Sequence, residues 1–302
     1  MKKMTAKESM RKDQVQLYVL LAPFMLVFLV FTVAPVIVTF ILSLTQYNVL
    51  QPPRFIGLDN FKNLFSNDPI FLTSVKNTIV YAVITGPVGY MLCFFVAWAI
   101  STLNRYIRAV LVFLFYLPAL TGAMLFTIWN GVIFSGDVYG YMNSFLMRFG
   151  LTTDPIQWFS TQAYILPLII VVQLWLSLGT GFLAMVAGIT SIDRQYYEAG
   201  AIDGVKSRLQ EIRYITLPMM APHLMTAAVL QITAMFANAA IAQNLAGFPS
   251  TNYAGHLIMT HLNDYSAIRA ERGYASAIAV LLFIFMITLN RTIMRALKKV
   301  SD

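Results

Sequence analysis

The chain has 302 residues, 58% of them hydrophobic and only 11% charged, with a formal net charge of +8. About a quarter of the residues of a soluble domain are charged, so this composition excludes an ordinary soluble enzyme or binding module and marks an integral membrane protein. Cys93 is the single cysteine and lies in an apolar run, which excludes an intrachain disulfide and reads as a small buried hydrophobe.

Charged residues divide the sequence into six long stretches without Asp, Glu, Lys or Arg: 14–53, 77–104, 109–136, 155–192, 214–263 and 273–290. A helix needs ~20 mostly apolar residues to cross a bilayer core. The expected spans, in chain order, are 17–45, 77–101, 109–134, 163–189, 217–245 and 273–296, in one transmembrane domain covering 1–302. The first has a basic start like a signal peptide. Its apolar run is too long for one, however, contains Pro23 and Pro35, and meets no small-x-small cleavage site, so an uncleaved helix is expected. The last runs past Arg291 and Arg295, which must snorkel to the interface. Continuous apolar runs, without alternation over ~10-residue segments, argue against a spanning barrel.

Basic residues are retained on the cytoplasmic side of a membrane. With the N-terminus inside, fifteen of the 21 Lys and Arg residues fall in cytoplasmic segments, which places both termini and the loop 191–218 in the cytoplasm. Topology and anionic lipid then account for the positive charge, and no nucleic-acid partner is implied. Two expected outer loops carry Pro52-Pro53 and Gly136-Asp137, with Trp158 as an interfacial anchor.

Polar groups at membrane depth are costly and persist where they face protein or a wet cavity. The fourth span offers Gln173, Ser177 and Thr180 at helical spacing, and the fifth offers Gln231, Met235 and Asn238. These six are candidates for a solute path, with interhelical hydrogen bonding as the structural alternative. Neutral amides and hydroxyls beside Trp175 and Phe236 suit a sugar's hydroxyl and C–H faces better than an ion. No acid lies in the six stretches, so energy coupling through a membrane carboxylate is not expected and must come from another chain. His256 and His261, five apart with Asp264 near, make poor metal geometry and read as decoration of an outer segment 247–272 that could meet a solute-binding protein. Neither a Gly-x-x-x-x-Gly-Lys loop nor a Gly-x-Ser-x-Gly elbow occurs, which leaves an intramembrane enzyme a weak alternative.

The loop 191–218 is dense in charge and reads as two short helices, the first capped by Ser191 or Asp193 and ending at Gly204, with Pro218 opening the next span. Its string Tyr197-Glu198-Ala199-Gly200-Ala201-Ile202-Asp203-Gly204, followed by Ile215-Thr216-Leu217-Pro218, resembles the "EAA" loop of permease subunits in binding-protein-dependent ATP-binding-cassette importers. Gly57-Leu58-Asp59-Asn60-Phe61, Asn77-Thr78, Trp129, Trp158 and Gly273-Tyr274-Ala275 also resemble sugar-type members, the larger maltose-type first partner in particular, though without a large outer insertion. Two departures stand out: Gly200 replaces an alanine, which would loosen the helix by ~1 kcal/mol, and one extra residue separates Gly204 from Ile215.

The resemblance implies an all-α integral membrane fold, a six-helix transmembrane bundle of the type I importer permease type. It implies that residues 197–204 dock on an ATPase subunit, with Glu198 as the charged anchor, Ala199, Ala201 and Ile202 as the close-packing surface and Gly204 as the turn. The implied partners are a second permease, two ATP-binding-cassette ATPases that hold ATP and Mg, an extracellular solute-binding protein and membrane lipid; no cofactor is expected in this chain. The implied setting is a bacterial or archaeal cell membrane. The implied cargo is a sugar or oligosaccharide, with a polyol or glycerol-phosphate-like solute as the alternative.

Overall fold

The computed structural model describes residues 6–237 and 240–301, most of them helical. Helix α1 (Ala6–Phe28) passes through a π turn (Leu29–Val33) into α2 (Ala34–Ser43). The Ala34 N–H reaches back five residues to Leu29 O, and Pro35, with no N–H to offer, follows in the first turn of α2. The most apolar window of 17–43 is wholly unburied, so its side chains need lipid or another chain around them.

The chain forms two compact units, the first made of residues up to Asn63 with Tyr265–Leu281. In it, β1 (Thr45–Gln46) pairs antiparallel with β2 (Arg54–Phe55), Thr45 opposite Phe55. Asn60, at the start of α3 (Asp59–Ser66), is buried and donates through Nδ2 to Ser43 O and Thr45 O, both at 2.9 Å. The Gly273 N–H, near the start of α16 (Arg272–Ser301), donates to Tyr47 O at 2.9 Å, and a Cβ at Gly273 would strike the Thr45 carbonyl. The Asn60 and Gly273 motifs therefore hold one loop.

The second unit contains Leu64–Asp264 and the rest of α16 from Leu282. Its long helix α4 (Pro69–Ser101) starts at Pro69, well before the expected 77, because Asp68 Oδ1 accepts the Phe71 N–H at 2.8 Å and Pro69 suits a first turn. Helix α5 (Arg105–Thr121) is capped by Asn104 and stops at Gly122, whose φ is +30°; α6 (Ala123–Ile128) and a π turn (Trp129–Ile133) continue beyond it. Helix α7 (Tyr141–Arg148) lies in the following loop.

The fourth expected span is split into α8 (Gln162–Leu176) and α9 (Thr180–Thr190) by a break at 177–179. The expected span 217–245 is also interrupted. A helical stretch ending at Met219 meets α13 (Ala221–Ala237) at 79°, so α13 begins with Pro222, not Pro218, in its first turn, and α14 (Ala240–Ala246) and α15 (Ile258–Asn263) follow. Among the described residues four helical stretches are long and apolar enough to cross a membrane, 17–43, 69–101, 162–190 and 272–296; two bent pairs, 105–121 with 125–133 and 208–219 with 221–236, make six if each is one span.

Small residues let α9 and α13 approach closely. A Cβ at Gly188 would lie 2.7 Å from His223 Cβ, and one at Gly181 would lie 3.1 Å from Ala227 O. Two turns apart on one face, these glycines replace the hydrophobic drive that lipid does not supply with close backbone contact. Phe182, Met185, Leu224 and Ala227 pack there with Cys93, Phe94 and Ala97 of α4, while Tyr81, Ile169, Phe236, Ile241 and Leu245 form a second core.

Candidate functional site

The loop 191–218 folds as an exposed helical hairpin. Asp193 Oδ1 accepts the Gln195 N–H at 3.0 Å and opens α10 (Arg194–Ile202). The helix ends in a left-handed Gly204, φ +94°, with the Val205 N–H donating to Gly200 O at 2.9 Å and the Gly204 N–H to Ala201 O at 3.4 Å. This paired closure needs a residue without a Cβ penalty at Gly204. Ser207 Oγ and Gln210 Oε1 then exchange bonds with each other's backbone N–H and start α11 (Arg208–Glu211).

The extra residue between Gly204 and Ile215 has a visible place. Residues Ile212–Thr216 form a π turn, in which the Leu217 N–H reaches back five residues to Ile212 O before α12 (Leu217–Met219). A π turn takes in one residue more than an α turn, so the hairpin returns in register. Tyr197 OH lies 3.1 Å from Thr216 Oγ1, and a Cβ at Gly200 would lie 2.6 Å from Ile215 Cδ1. Tyr197 and Gly200 thus face inward, and the glycine that departs from the alanine pattern is where Ile215 packs.

Glu198, Ala199, Ala201, Ile202, Asp203 and Gly204 are exposed, Ile202 by 87%. Tyr196 and Leu209 add to this apolar surface at 52% and 75% exposure. Glu198 Oε1 pairs with Arg194 Nε at 3.0 Å in the open, a contact worth only ~0.3–0.5 kcal/mol and readily exchanged for another cation. The hairpin therefore presents an apolar edge beside an acidic group.

Gln173, Ser177, Thr180 and Gln231 meet around one cavity of about 300 Å³, with Tyr116, Phe126 and Gly179 also on its wall. The break between α8 and α9 borders it, as irregular backbone at membrane depth must border a cavity or protein. Gln173 is buried and its Oε1 has no hydrogen-bond partner, while Ser177 Oγ donates to Leu174 O at 2.6 Å. Among the described residues lining the cavity none is charged.

Met235 does not join the other four. Its sulfur accepts from Thr85 Oγ1 at 2.9 Å, and it borders an apolar groove with Val83, Pro87 and Phe285 that Gln231 also lines; on α13 it is Gln231 and Ala234 that reach the cavity. Residues four apart differ by ~40° around a helix, enough to turn Met235 onto α4. Asn238 lies outside the described residues. Trp175 packs on Trp129 and Phe236 on Phe285, and neither is on the cavity wall. Tyr116 and Phe126 carry no periodic polar signal in sequence; the glycine at 122 was the available hint of a bend there.

His256 and His261 are not surface decoration. Each is 1% exposed, and Asp68 Oδ2 lies 3.0 Å from His261 Nε2.

Residues 89–300 match the family described as binding-protein-dependent transport system inner membrane component. The chain belongs to that family. The permease is 31% identical to the probable ABC transporter permease protein YesP of Bacillus subtilis (strain 168), over 95% of this chain and 92% of that one. It is 27% identical to the arabinooligosaccharides transport system permease protein AraP of the same organism, over 90% and 85%, and 27% identical to the sulfoquinovosyl glycerol transport system permease protein SmoG of Agrobacterium fabrum (strain C58 / ATCC 33970), over 95% and 91%. Its fold matches a chain of the crystal structure of a bacterial alginate ABC transporter in complex with alginate pentasaccharide-bound periplasmic protein, with a TM-score of 0.79 over 96% of both chains at 22% identity. The permease is accordingly a membrane-embedded transport component with the all-α fold of an importer subunit.

Proposed function

We propose that this permease carries a sugar or short oligosaccharide across a cell membrane, handed over by an extracellular solute-binding protein. The observation that carries this reading is the neutral cavity beside the 177–179 break, walled by the uncharged polar side chains of Gln173, Ser177, Thr180 and Gln231. Neutral amides and hydroxyls on a cavity wall exchange hydrogen bonds with sugar hydroxyls and call for no charge on the solute. At about 300 Å³ the cavity is at the lower end of ligand pockets, ~300–1,000 Å³, room for a ring and not for a long chain. Relatives named for arabinooligosaccharide and sulfoquinovosyl glycerol transport support carbohydrate as the class.

A second permease and two ATPase subunits complete the assembly in this reading, with ATP and Mg bound on the ATPases and both permease termini in the cytoplasm. Ile202, Leu209 and Tyr196 supply the apolar edge for an ATPase cleft, and Glu198 leaves Arg194 for a basic group of that partner. Closing of the ATPases on ATP draws the docked hairpin along as a rigid body, since its Gly204 closure and its Ser207 cap leave little slack. Helices continuous with the hairpin, α9 before it and α13 after it, border the cavity and transmit that movement to it.

Uptake into vesicles that contain the whole assembly tests this. Glu198→Ala with Ile202→Asp is expected to abolish binding-protein-stimulated ATP hydrolysis while the permease stays in the membrane. Gln173→Leu is expected to lower sugar uptake with ATPase assembly intact. Normal uptake by the hairpin variant removes the coupling role; normal uptake by Gln173→Leu moves the solute path elsewhere.

A further inference from the structure

Asp68, His261 and His256 form a buried chain of hydrogen-bonding groups between the residues that open α4 and the segment 247–264. Asp68 Oδ2 lies 3.0 Å from His261 Nε2, and His261 Nδ1 lies 3.2 Å from His256 Nε2. A carboxylate only accepts, so His261 donates through Nε2 and, as a neutral ring, accepts at Nδ1 from His256 Nε2–H. The other Asp68 oxygen caps α4 through the Phe71 N–H. Titratable groups at the imidazole pair include Asp68, at the start of α4, and Tyr253 from the loop, whose ring is 5.4 Å from that of His256, and Asp264 is buried three residues past His261; Phe71 and Phe248 rings pack at 5.9 and 5.7 Å.

The same two segments are tied at neutral groups as well. Asn77 Nδ2 donates to the carbonyls of Tyr253, Ala254 and His256 at 3.0, 3.2 and 3.1 Å, and the Ile258 N–H donates to Thr78 Oγ1 at 2.9 Å. Of these ties only the histidine chain changes with pH. With Asp68 ionised, two ring protons make both of these bonds. A third leaves both bonds in place: His261, as an imidazolium beside the Asp68 carboxylate, donates through Nε2 and Nδ1, and His256 Nε2 accepts. A fourth sets the Nδ1–H of His261 against the Nε2–H of His256 across 3.2 Å. When the segments part, both rings reach water and take up protons freely.

We propose that Asp68, His261 and His256 are a proton-sensitive latch that clasps the start of α4 to the segment 247–264 and lets go in acid. The released segment continues directly from α14, whose Ala240 borders the solute cavity, so acid slackens one wall of the path. Under the proposed orientation the latch faces the compartment that supplies solute, and the effect on uptake rests on that reading. Each proton taken up on opening favours the open state by up to about tenfold per pH unit.

Hydrogen exchange of the assembled importer at about pH 7.5 and about pH 5, either side of an ordinary histidine near ~6.5, tests the latch. Residues 141–158, held by the neutral side chain of Asn143, are the reference that removes the intrinsic pH dependence. Exchange of 247–264 relative to that reference is expected to rise on acidification, by up to about tenfold per pH unit per proton. His261→Gln is expected to flatten the rise. An unchanged ratio in the wild type overturns the latch, and so does a rise that persists in His261→Gln; if that variant fails to assemble, the wild-type ratio decides. Acidifying one side of loaded vesicles separates the two claims. Uptake that falls only with acid on the side of the termini refutes the orientation and leaves the exchange result to judge the latch.

Discussion

Gly200→Ala tests how the coupling hairpin is packed. In an exposed helix the change gains ~1 kcal/mol of helix propensity. Here the new Cβ would lie 2.6 Å from Ile215 Cδ1, about 1 Å inside the ~3.5–4.0 Å separation of carbon atoms at contact. Cδ1 ends a flexible side chain, so the contact is relieved by turning Ile215 off its rotamer at ~0.5–1.5 kcal/mol. The gain and the cost nearly cancel, and the single variant is expected within about 1 kcal/mol of wild type. Ile215→Val alone costs ~0.5–1.5 kcal/mol as a core truncation, but in the Gly200→Ala background it also removes the offending carbon. The pair should therefore couple by about 1 kcal/mol. Tryptic cleavage after the exposed Lys206 and Arg208 measures opening of the hairpin. The double variant should be cut about fivefold more slowly than the sum of the singles predicts. Additive effects would show that Gly200 and Ile215 do not touch, and the inward assignment of Gly200 would fall with them.

Other substitutions probe the scaffold. Asn143 is fully buried, donates to Ser135 O, Asp137 O and Ile156 O, and accepts from the Ile156 N–H and Trp158 Nε1–H. Asn143→Ala strands two donors at ~1–3 kcal/mol each, and a lowered midpoint of thermal unfolding in detergent is the expected result. Gly188→Val places a branched side chain where a Cβ alone would lie 2.7 Å from His223 Cβ, and should cost ~1–3 kcal/mol or more by the same measurement. Arg194→Ala removes an exposed pair and should change stability by no more than ~0.5 kcal/mol; if binding-protein-stimulated ATP hydrolysis also persists, Glu198 has its working partner on another chain.

Membrane class and the hairpin were legible in sequence because each rests on local chemistry. Long uncharged stretches report the solvent, and Asp193 and Gly204 report helix ends, whatever lies around them. The polar stripe of α8 and α9 was legible for the same reason, since Gln173, Ser177 and Thr180 are costly in lipid unless they face a cavity. Met235 lies off that cavity because spacing along a helix gives a face only to within tens of degrees, and the neighbouring Thr85 on α4 decides the rest.

What no local pattern contains is the meeting of distant segments. Gly200 reads as a weakness in its helix until Ile215 is seen filling the space, and the extra residue before Ile215 reads as a shift until the π turn absorbs it. Asp68 and His261 are 193 residues apart, and only folding makes them neighbours at 3.0 Å. Solvent preference and chain termination act within a few residues and are written in order along the sequence; packing and buried proton sharing depend on which remote side chain arrives, and that is settled in three dimensions.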